Sequence, residues 1–305
     1  MPSTNVLNGD PMQHVENELT GRTKVLGIIG DPVAHSLSPV MQNAALKALG
    51  IDCIYVPFHV KPTDLTAAVD GLRALNAVGF NVTIPHKSAI IGLLDELSHE
   101  AQLIGAVNTV VRVGDRLIGH NTDASGFLQA LRDDLRFDPA GSRILLLGAG
   151  GAARAALVAL VEAGIESITI ANRTEDTAER LLSLLRQTGS RSIGDHVSLN
   201  GIFSDRMVMS SYDLVVNTTS VGMGGTAFDG LDVSFFKPGV RVYDMVYVPA
   251  ETPLLQAARA TGLAAANGAG MLAAQGEAAF RLWIGCDPPK GLMRQRVQEA
   301  LATPA

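Results

Sequence analysis

From residue 24 onward, short runs of β-branched and aliphatic residues alternate with Ala- and Leu-rich stretches whose apolar positions recur at helical spacing. Alternation of that kind builds parallel sheets through crossover helices. It falls into two series. The first predicts strands near residues 24–30, 53–60, 79–83 and 105–113, with helices opening at "SPVMQNAALKALG" and "TDLTAAVDGLRALN". The second opens at "SRILLLGAGGAARAALVALVEAGIESITIANRT" and continues through "YDLVVNTTS", "VRVYDMVY" and "GLAAANG". Between them, "GHNTDASGFLQALRDDL" places Asp123 to cap a helix that carries the chain away from the first sheet. After "NGAGML" the pattern returns to helices, "AAFRLWIG" and "MRQRVQEAL", expected to lie back on the first series. The fold class is α/β with two domains and a deep groove between them. The expected division is a flexible arm over 1–22, an open, mainly parallel α/β domain over 23–123 plus 268–305, and a second α/β domain over 124–267.

A chain of 305 residues is long enough for two domains, and 47% hydrophobic residues against 18% charged ones supply a sizeable core. The formal charge of −6 offers no basic stripe for nucleic acid, and no segment reaches the ~18 uninterrupted apolar residues of a membrane helix. Cys53 and Cys286 lack CxxC or Cys/His spacing, so no metal is expected. The first 22 residues have no basic start followed by an apolar run, which reads as a cytoplasmic protein without a secretory signal. A small molecule is the expected partner, and the oligomeric state is open between monomer and homodimer.

"ILLLGAGGAARAAL" is an apolar strand, a glycine turn and an Ala-rich helix, with Gly148, Gly150 and Ala153 in G-x-G-x-x-A register. A tight turn needs the first glycine, and close approach of a pyrophosphate needs the second. A small third residue lets helix and strand pack closely. Free N–H groups at the helix start would face phosphates. At the end of the following strand, where an acidic residue would bind a ribose and repel a 2′-phosphate, stand Asn172, Arg173 and Thr174. They supply a cation and a hydroxyl instead, which favours NADP and leaves NAD open, since Glu175 and Asp176 lie close by.

The first series collects polar residues at predicted strand ends: Ser36, Ser38, Thr83, Lys87, Asn108 and Asp123. Side chains there converge on one crevice of an open sheet. Singly, each has a structural explanation: Ser38 and Asp123 as helix caps, Asn108 as a turn residue. Jointly they suit a small hydroxyl-rich anion, with hydroxyls for a carboxylate, a cation, and an amide–carboxylate pair for vicinal hydroxyls.

The motifs "GDPVAHSLSPVMQNAAL", "GFNVTIPHK", "GAVNTV", "GHNTDASGF", "GAGGAARA", "NRT", "DMVYVPAETPLL" and "NGAGMLAAQG" resemble, in order from about residue 24 to 285, the shikimate dehydrogenase family. The resemblance implies a substrate domain, a Rossmann domain and reversible reduction of 3-dehydroshikimate to shikimate with NADPH. It implies that Lys87 and Asp123 are the catalytic pair and that Ser36 and Ser38 bind the carboxylate. Thr83, Asn108, Tyr247 and Gln275 would line the substrate. Gly148, Gly150, Gly151 and Ala152 would form the pyrophosphate turn, and Asn172, Arg173 and Thr174 the 2′-phosphate clamp, while Met245 and Gly268 would border the nicotinamide. Departures from the family pattern are Thr177 in place of a second arginine, Gln42 and Asn267. The alternatives are a quinate/shikimate paralogue using NAD(H) and a weakly catalytic NADP-binding sensor; the retained serine pair leans toward shikimate.

Overall fold

The computed structural model describes residues 19–187, 193–198, 202–203 and 205–302. Of the arm expected over 1–22, residues 1–18 lie outside the described residues. The first series forms β1 (Lys24–Gly30), α1 (Ser38–Ala48), β2 (Cys53–His59), α2 (Leu65–Ala74), β3 (Gly79–Val82), β4 (Glu96–Leu97), α3 (His99–Ile104), β5 (Thr109–Val113) and β6 (Arg116–His120). These strands make one sheet in the order β2-β1-β3-β5-β6-β4. β1 pairs in parallel with β2 and β3, and β4 with β6, whereas β5 runs antiparallel to both β3 and β6.

The single strand expected over 105–113 is corrected here. Ser98 caps α3 by accepting the amide of Ala101, and Gly105, at φ 66°, ends that helix. Only from Thr109 does the chain enter the sheet, and it then doubles back into β6. Because β5 is antiparallel, its beginning lies at the edge where β3 ends, with Thr109 opposite Asn81. Asn108 therefore reaches the expected edge from the start of a strand and not from its end.

The second series forms α4 (Asp123–Leu135), β7 (Arg143–Leu147), α5 (Gly151–Glu162), β8 (Ser167–Asn172), α6 (Glu175–Gln187), β9 (Ile193–Ser198), α7 (Arg206–Met209), β10 (Leu214–Asn217), β11 (Val221–Gly224), β12 (Arg241–Asp244), α8 (Pro253–Ala260) and β13 (Ala264–Asn267). Its sheet order is β13-β12-β10-β7-β8-β9, every pair parallel. That is the doubly wound order in which the chain leaves a central strand first to one side and then to the other. Alternation sorts the core: Ile144 and Leu146 of β7 join a cluster with Phe127, Leu157 and Leu160, while Leu145 and Leu147 face Phe236, Leu254 and Leu255 on the other side.

α9 (Ala269–Ile284) and α10 (Leu292–Ala302) return to the first sheet. Phe280, Trp283, Met293 and Val297 share a buried cluster with Leu26, Ile28, Met41 and Tyr55. Trp283 Nε1 donates to the Val110 carbonyl at 2.9 Å, across the face of Gly79. α9 also crosses α4 at close range, since a Cβ on Gly126 would stand 2.8 Å from the backbone nitrogen of Gln275.

That contact is backbone on one side and cannot be relieved by a rotamer change. In an exposed helix, Gly→Ala would gain about 1 kcal/mol, but overpacking a closed site costs ~1–3 kcal/mol. Gly126→Ala is therefore expected to lower the urea midpoint and the melting temperature, and equal or greater stability would show that α4 and α9 yield without cost.

Candidate functional site

Ser36 and Ser38 follow β1, Thr83 and Lys87 follow β3, and Asp123 follows β6. All stand at the same sheet edge, with Asn108 arriving there from the start of β5. In the segment after β3, His86 is buried and its Nε2 meets the Val60 carbonyl at 2.6 Å. This anchors the turn, and Val107 N donates to the Lys87 carbonyl at 2.7 Å.

Lys87 Nζ then donates to Asp123 Oδ2 at 2.6 Å, while Asn108 Nδ2 donates to Asp123 Oδ1 at 2.8 Å. The capping readings do not hold. The residue before α4 is Thr122, with no side-chain cap, and Asp123 sits in the first turn, where a negative charge is favoured by the helix dipole. Ser38 is likewise the first residue of α1, preceded by Leu37, and is buried. Neither side chain is used to close a helix end.

A pocket of about 400 Å³ gathers Ser36, Ser38, Thr83, Lys87, Asn108 and Asp123 with Ala152, Met245, Tyr247, Gly268 and Gln275. Ala152 stands in the first turn of α5, Met245 and Tyr247 follow β12, Gly268 follows β13 and Gln275 belongs to α9, so both sheets contribute. The volume is that of a small-molecule site. Burial pushes the Tyr247 phenol up, keeping it a neutral hydrogen-bond donor. Behind Met245, the buried Asp244 carboxylate accepts from Asn217 Nδ2 at 2.8 Å, Val246 N at 3.0 Å and Thr252 Oγ1 at 2.6 Å. Burial raises its pKa against those three bonds.

Six expected residues lie outside this pocket. Gly148, Gly150 and Gly151 form the turn from β7 into α5, and Asn172, Arg173 and Thr174 follow β8. Gly148 adopts φ 104°, and a Cβ there would press on Thr218 Oγ1 at 2.7 Å, so no other residue fits. A Cβ on Gly150 or Gly151 meets nothing within 4 Å, which leaves the amides at the start of α5 open to a phosphate-sized group. Asn172 Nδ2 donates to the Thr174 carbonyl at 2.8 Å. Arg173 is exposed and has no ion-pair partner among the described residues.

Sequence reasoning missed Asn81 and Thr122. Asn81 lines the pocket, and Thr122 Oγ1 accepts from Asn108 Nδ2 at 2.9 Å. The available signal was an asparagine inside the four-residue strand "GFNV", buried on all sides, because a buried polar side chain there must have partners.

A doubly wound sheet with an open glycine turn, facing a polar pocket that holds a lysine–carboxylate pair, defines a two-sheet, dinucleotide-dependent oxidoreductase. Family models agree in sequence order: the shikimate dehydrogenase substrate binding domain matches residues 28–110, shikimate / quinate 5-dehydrogenase 133–220, and the shikimate 5′-dehydrogenase C-terminal domain 268–298. A relative from Geobacter metallireducens named shikimate dehydrogenase (NADP(+)) is 56% identical over 286 residues, covering 93% of this chain and 99% of the relative. A shikimate dehydrogenase solved in complex with NADP+ superposes with a TM-score of 0.85 at 36% identity, over 94% of this chain and 98% of that one. A quinate dehydrogenase from Corynebacterium glutamicum in complex with NAD gives 0.83 at 34% identity, over 91% and 99%. The chain belongs to the shikimate dehydrogenase family.

Near the pair, Glu100 of α3 has its carboxyl pushed up to about 7, chiefly by burial and further by the charges of Glu162 and Asp123. A carboxyl whose folded pKa exceeds its unfolded one binds more protons when folded, so its favourable contribution is complete below about pH 4.5 and is lost as pH rises through about 7. Glu100→Gln is expected to stabilise the protein at pH 8 by roughly 1–2 kcal/mol, allowing for partial exposure, and to change little at pH 4. Thermal melts at the two pH values decide it; equal effects at both would remove the charge argument.

Proposed function

We propose that this chain catalyses the reversible, NADP-dependent reduction of 3-dehydroshikimate to shikimate. The observation that carries the reading is Lys87 Nζ held 2.6 Å from Asp123 Oδ2 in a pocket that also takes in the start of α5. Bound NADP(H) supplies or accepts the hydride.

The chain's own residues do the binding and the proton chemistry. Ser36 and Ser38 donate to the substrate carboxylate, and Tyr247, Thr83 and Gln275 bracket the ring. Asn108 and Asp123 read hydroxyls by pairing a donor with an acceptor. As the carbonyl oxygen gains negative charge, Lys87 gives it a proton, and in the opposite direction Lys87 takes the proton back. Asp123 holds the Lys87 side chain in place between turnovers through the 2.6 Å contact. Gly148, Gly150, Gly151 and Ala152 hold the pyrophosphate, Met245 and Gly268 flank the nicotinamide, and Asn172, Arg173 and Thr174 hold the 2′-phosphate. Open space at Gly150 and Gly151, and an exposed Arg173 with no ion-pair partner among the described residues, support that assignment.

The same reading divides the chain into a substrate unit, 23–123 with 268–305, and a dinucleotide unit, 124–267, and makes it a cytoplasmic enzyme active as monomer or homodimer. The buried cluster shared by α9, α10, α1 and β1 supports the discontinuous first unit. No helix among the described residues is long and apolar enough to cross a membrane. A second reading, a quinate/shikimate dehydrogenase using NAD, is favoured by one feature: Glu175 and Asp176 in the first turn of α6, with Thr177 following.

Initial rates with shikimate and quinate, each with NADP+ and NAD+, separate the two. Shikimate with NADP+ is expected to exceed the other combinations in kcat/KM by at least ~10-fold; quinate with NAD+ in first place would overturn the reading. Lys87→Ala is expected to lower kcat by roughly 10²–10⁴-fold while KM for shikimate changes by less than about five-fold. An unchanged kcat with a raised KM would make Lys87 a binding residue only.

A further inference from the structure

Beneath the pocket, buried side chains pass hydrogen bonds in one direction. Asn81 Nδ2 donates at 3.0 Å both to the Asn108 carbonyl and to Thr109 Oγ1. Its two amide protons are thereby placed, and its Oδ1 is turned toward Tyr55. The Tyr55 hydroxyl must then be the donor in its 2.6 Å contact with Asn81 Oδ1. Thr109 Oγ1 donates onward to Asn108 Oδ1 at 2.9 Å, and the same oxygen accepts Thr122 N at 2.8 Å. The other end of the Asn108 amide donates to Thr122 Oγ1 at 2.9 Å and to Asp123 Oδ1 at 2.8 Å.

Tyr55, Asn81, Asn108 and Thr109 are between 0% and 4% exposed, so bulk water does not compete at the links from Tyr55 to Asn108. Bonds aligned head to tail in a low-dielectric interior polarise one another. A hydroxyl is not what packing asks for at this position. The Tyr55 ring lies 6.0 Å from Trp283 in a cluster that is otherwise apolar, where phenylalanine would fill the same space. Burial pushes the phenol well above its ordinary range, against a hydrogen bond from Ser38, so it stays a neutral donor.

We propose that Tyr55 is a positioning residue for the Lys87–Asp123 pair: its hydroxyl starts a one-way chain through Asn81, Thr109 and Asn108 that, together with Thr122, aims and strengthens the bond from the Asn108 amide to Asp123. Without that hydroxyl, Asn81 Oδ1 loses its donor in a site where an unpaired acceptor is costly. A half-turn of the Asn81 amide would set its oxygen against the Asn108 carbonyl, so the amide stays as it is and the loss passes along the array as weaker bonds, from Asn81 Nδ2 to Thr109 Oγ1 and from Thr109 Oγ1 to Asn108 Oδ1. Asn108 keeps its contacts with Thr122 N and Thr122 Oγ1, but its Nδ2 becomes a weaker and less sharply aimed donor to Asp123 Oδ1.

The kinetic arm of the test rests on the proposed dehydrogenase reaction. Tyr55→Phe is expected to lower kcat for shikimate oxidation by roughly 5–20-fold with KM for shikimate within about two-fold. Thr109→Val, which cuts the chain in its middle, is expected to match it, and the double variant to be no worse than either single one. In an Asp123→Asn background, Tyr55→Phe is expected to do nothing further. The side-chain amide resonance of Asn108, followed by NMR without substrate, is expected to move in Tyr55→Phe, and this readout decides the chain whether or not shikimate is turned over. An unmoved Asn108 amide, a kcat at the wild-type value, or losses that multiply in the double variant would each overturn the proposal. Wild-type protein that leaves shikimate unoxidised would instead overturn the proposed reaction.

Discussion

Asp123 has two carboxylate oxygens, and each is engaged by a different segment of the first sheet: Lys87 from the turn after β3, and Asn108 from the approach to β5. The carboxylate stands in the first turn of α4, so its position is set by that helix. α4 in turn is fixed on several sides. Phe127 meets Tyr243 edge to face at 5.5 Å, and Gly126 lies against the backbone of Gln275. The lysine, the asparagine and the glutamine of the pocket are therefore placed relative to one another through a single rigid element. A shift of α4 would move the ion pair and the α9 wall together.

The antiparallel strand in the first sheet makes this arrangement possible to build. In a wholly parallel sheet, only the carboxyl ends of strands deliver side chains to the ligand edge. Reversing β5 brings the beginning of a strand there as well, so Asn108 and Thr109 stand beside Asn81 of β3 and opposite His120 of β6. Three neighbouring strands then contribute polar groups to one small volume. The second sheet has no such reversal and offers its ligand edge in the ordinary way, with the glycine turn after β7 and the Met245–Tyr247 segment after β12.

Much of this was legible in the residues. Strands buried on both faces read as continuous apolar runs, which is why β7 and β10 stood out, and the turn at Gly148 announced itself because only glycine adopts its conformation next to Thr218. The lysine after "TIPH" was legible through its place behind a strand. What was not legible depends on pairing between distant segments. α3 is short and is closed by Ser98 and Gly105, and the apolar run that follows gave no sign that 105–108 would stay outside the sheet. Ser38 and Asp123 sit where caps are common, and only the folded structure shows that neither side chain caps its helix and that Asp123 turns to Lys87 and Asn108. Asn81 and Tyr55 look like ordinary strand residues until their neighbours across the sheet are known.

The helices α9 and α10 also bear on how the molecule is made. They cover the surface formed by Leu26 and Ile28 of β1 and Met41 of α1, yet they are made after the whole second sheet. While the ribosome is still translating the second sheet, that amino-terminal surface stays uncovered, and Gln275 has not reached its place beside Gly126. The doubly wound unit can form around its own cluster in the meantime, but the first sheet must wait until the two helices that follow β13 have been made. Premature termination after β13 would leave a complete dinucleotide turn beside an open apolar face, the sort of nascent product that chaperones and proteases retain.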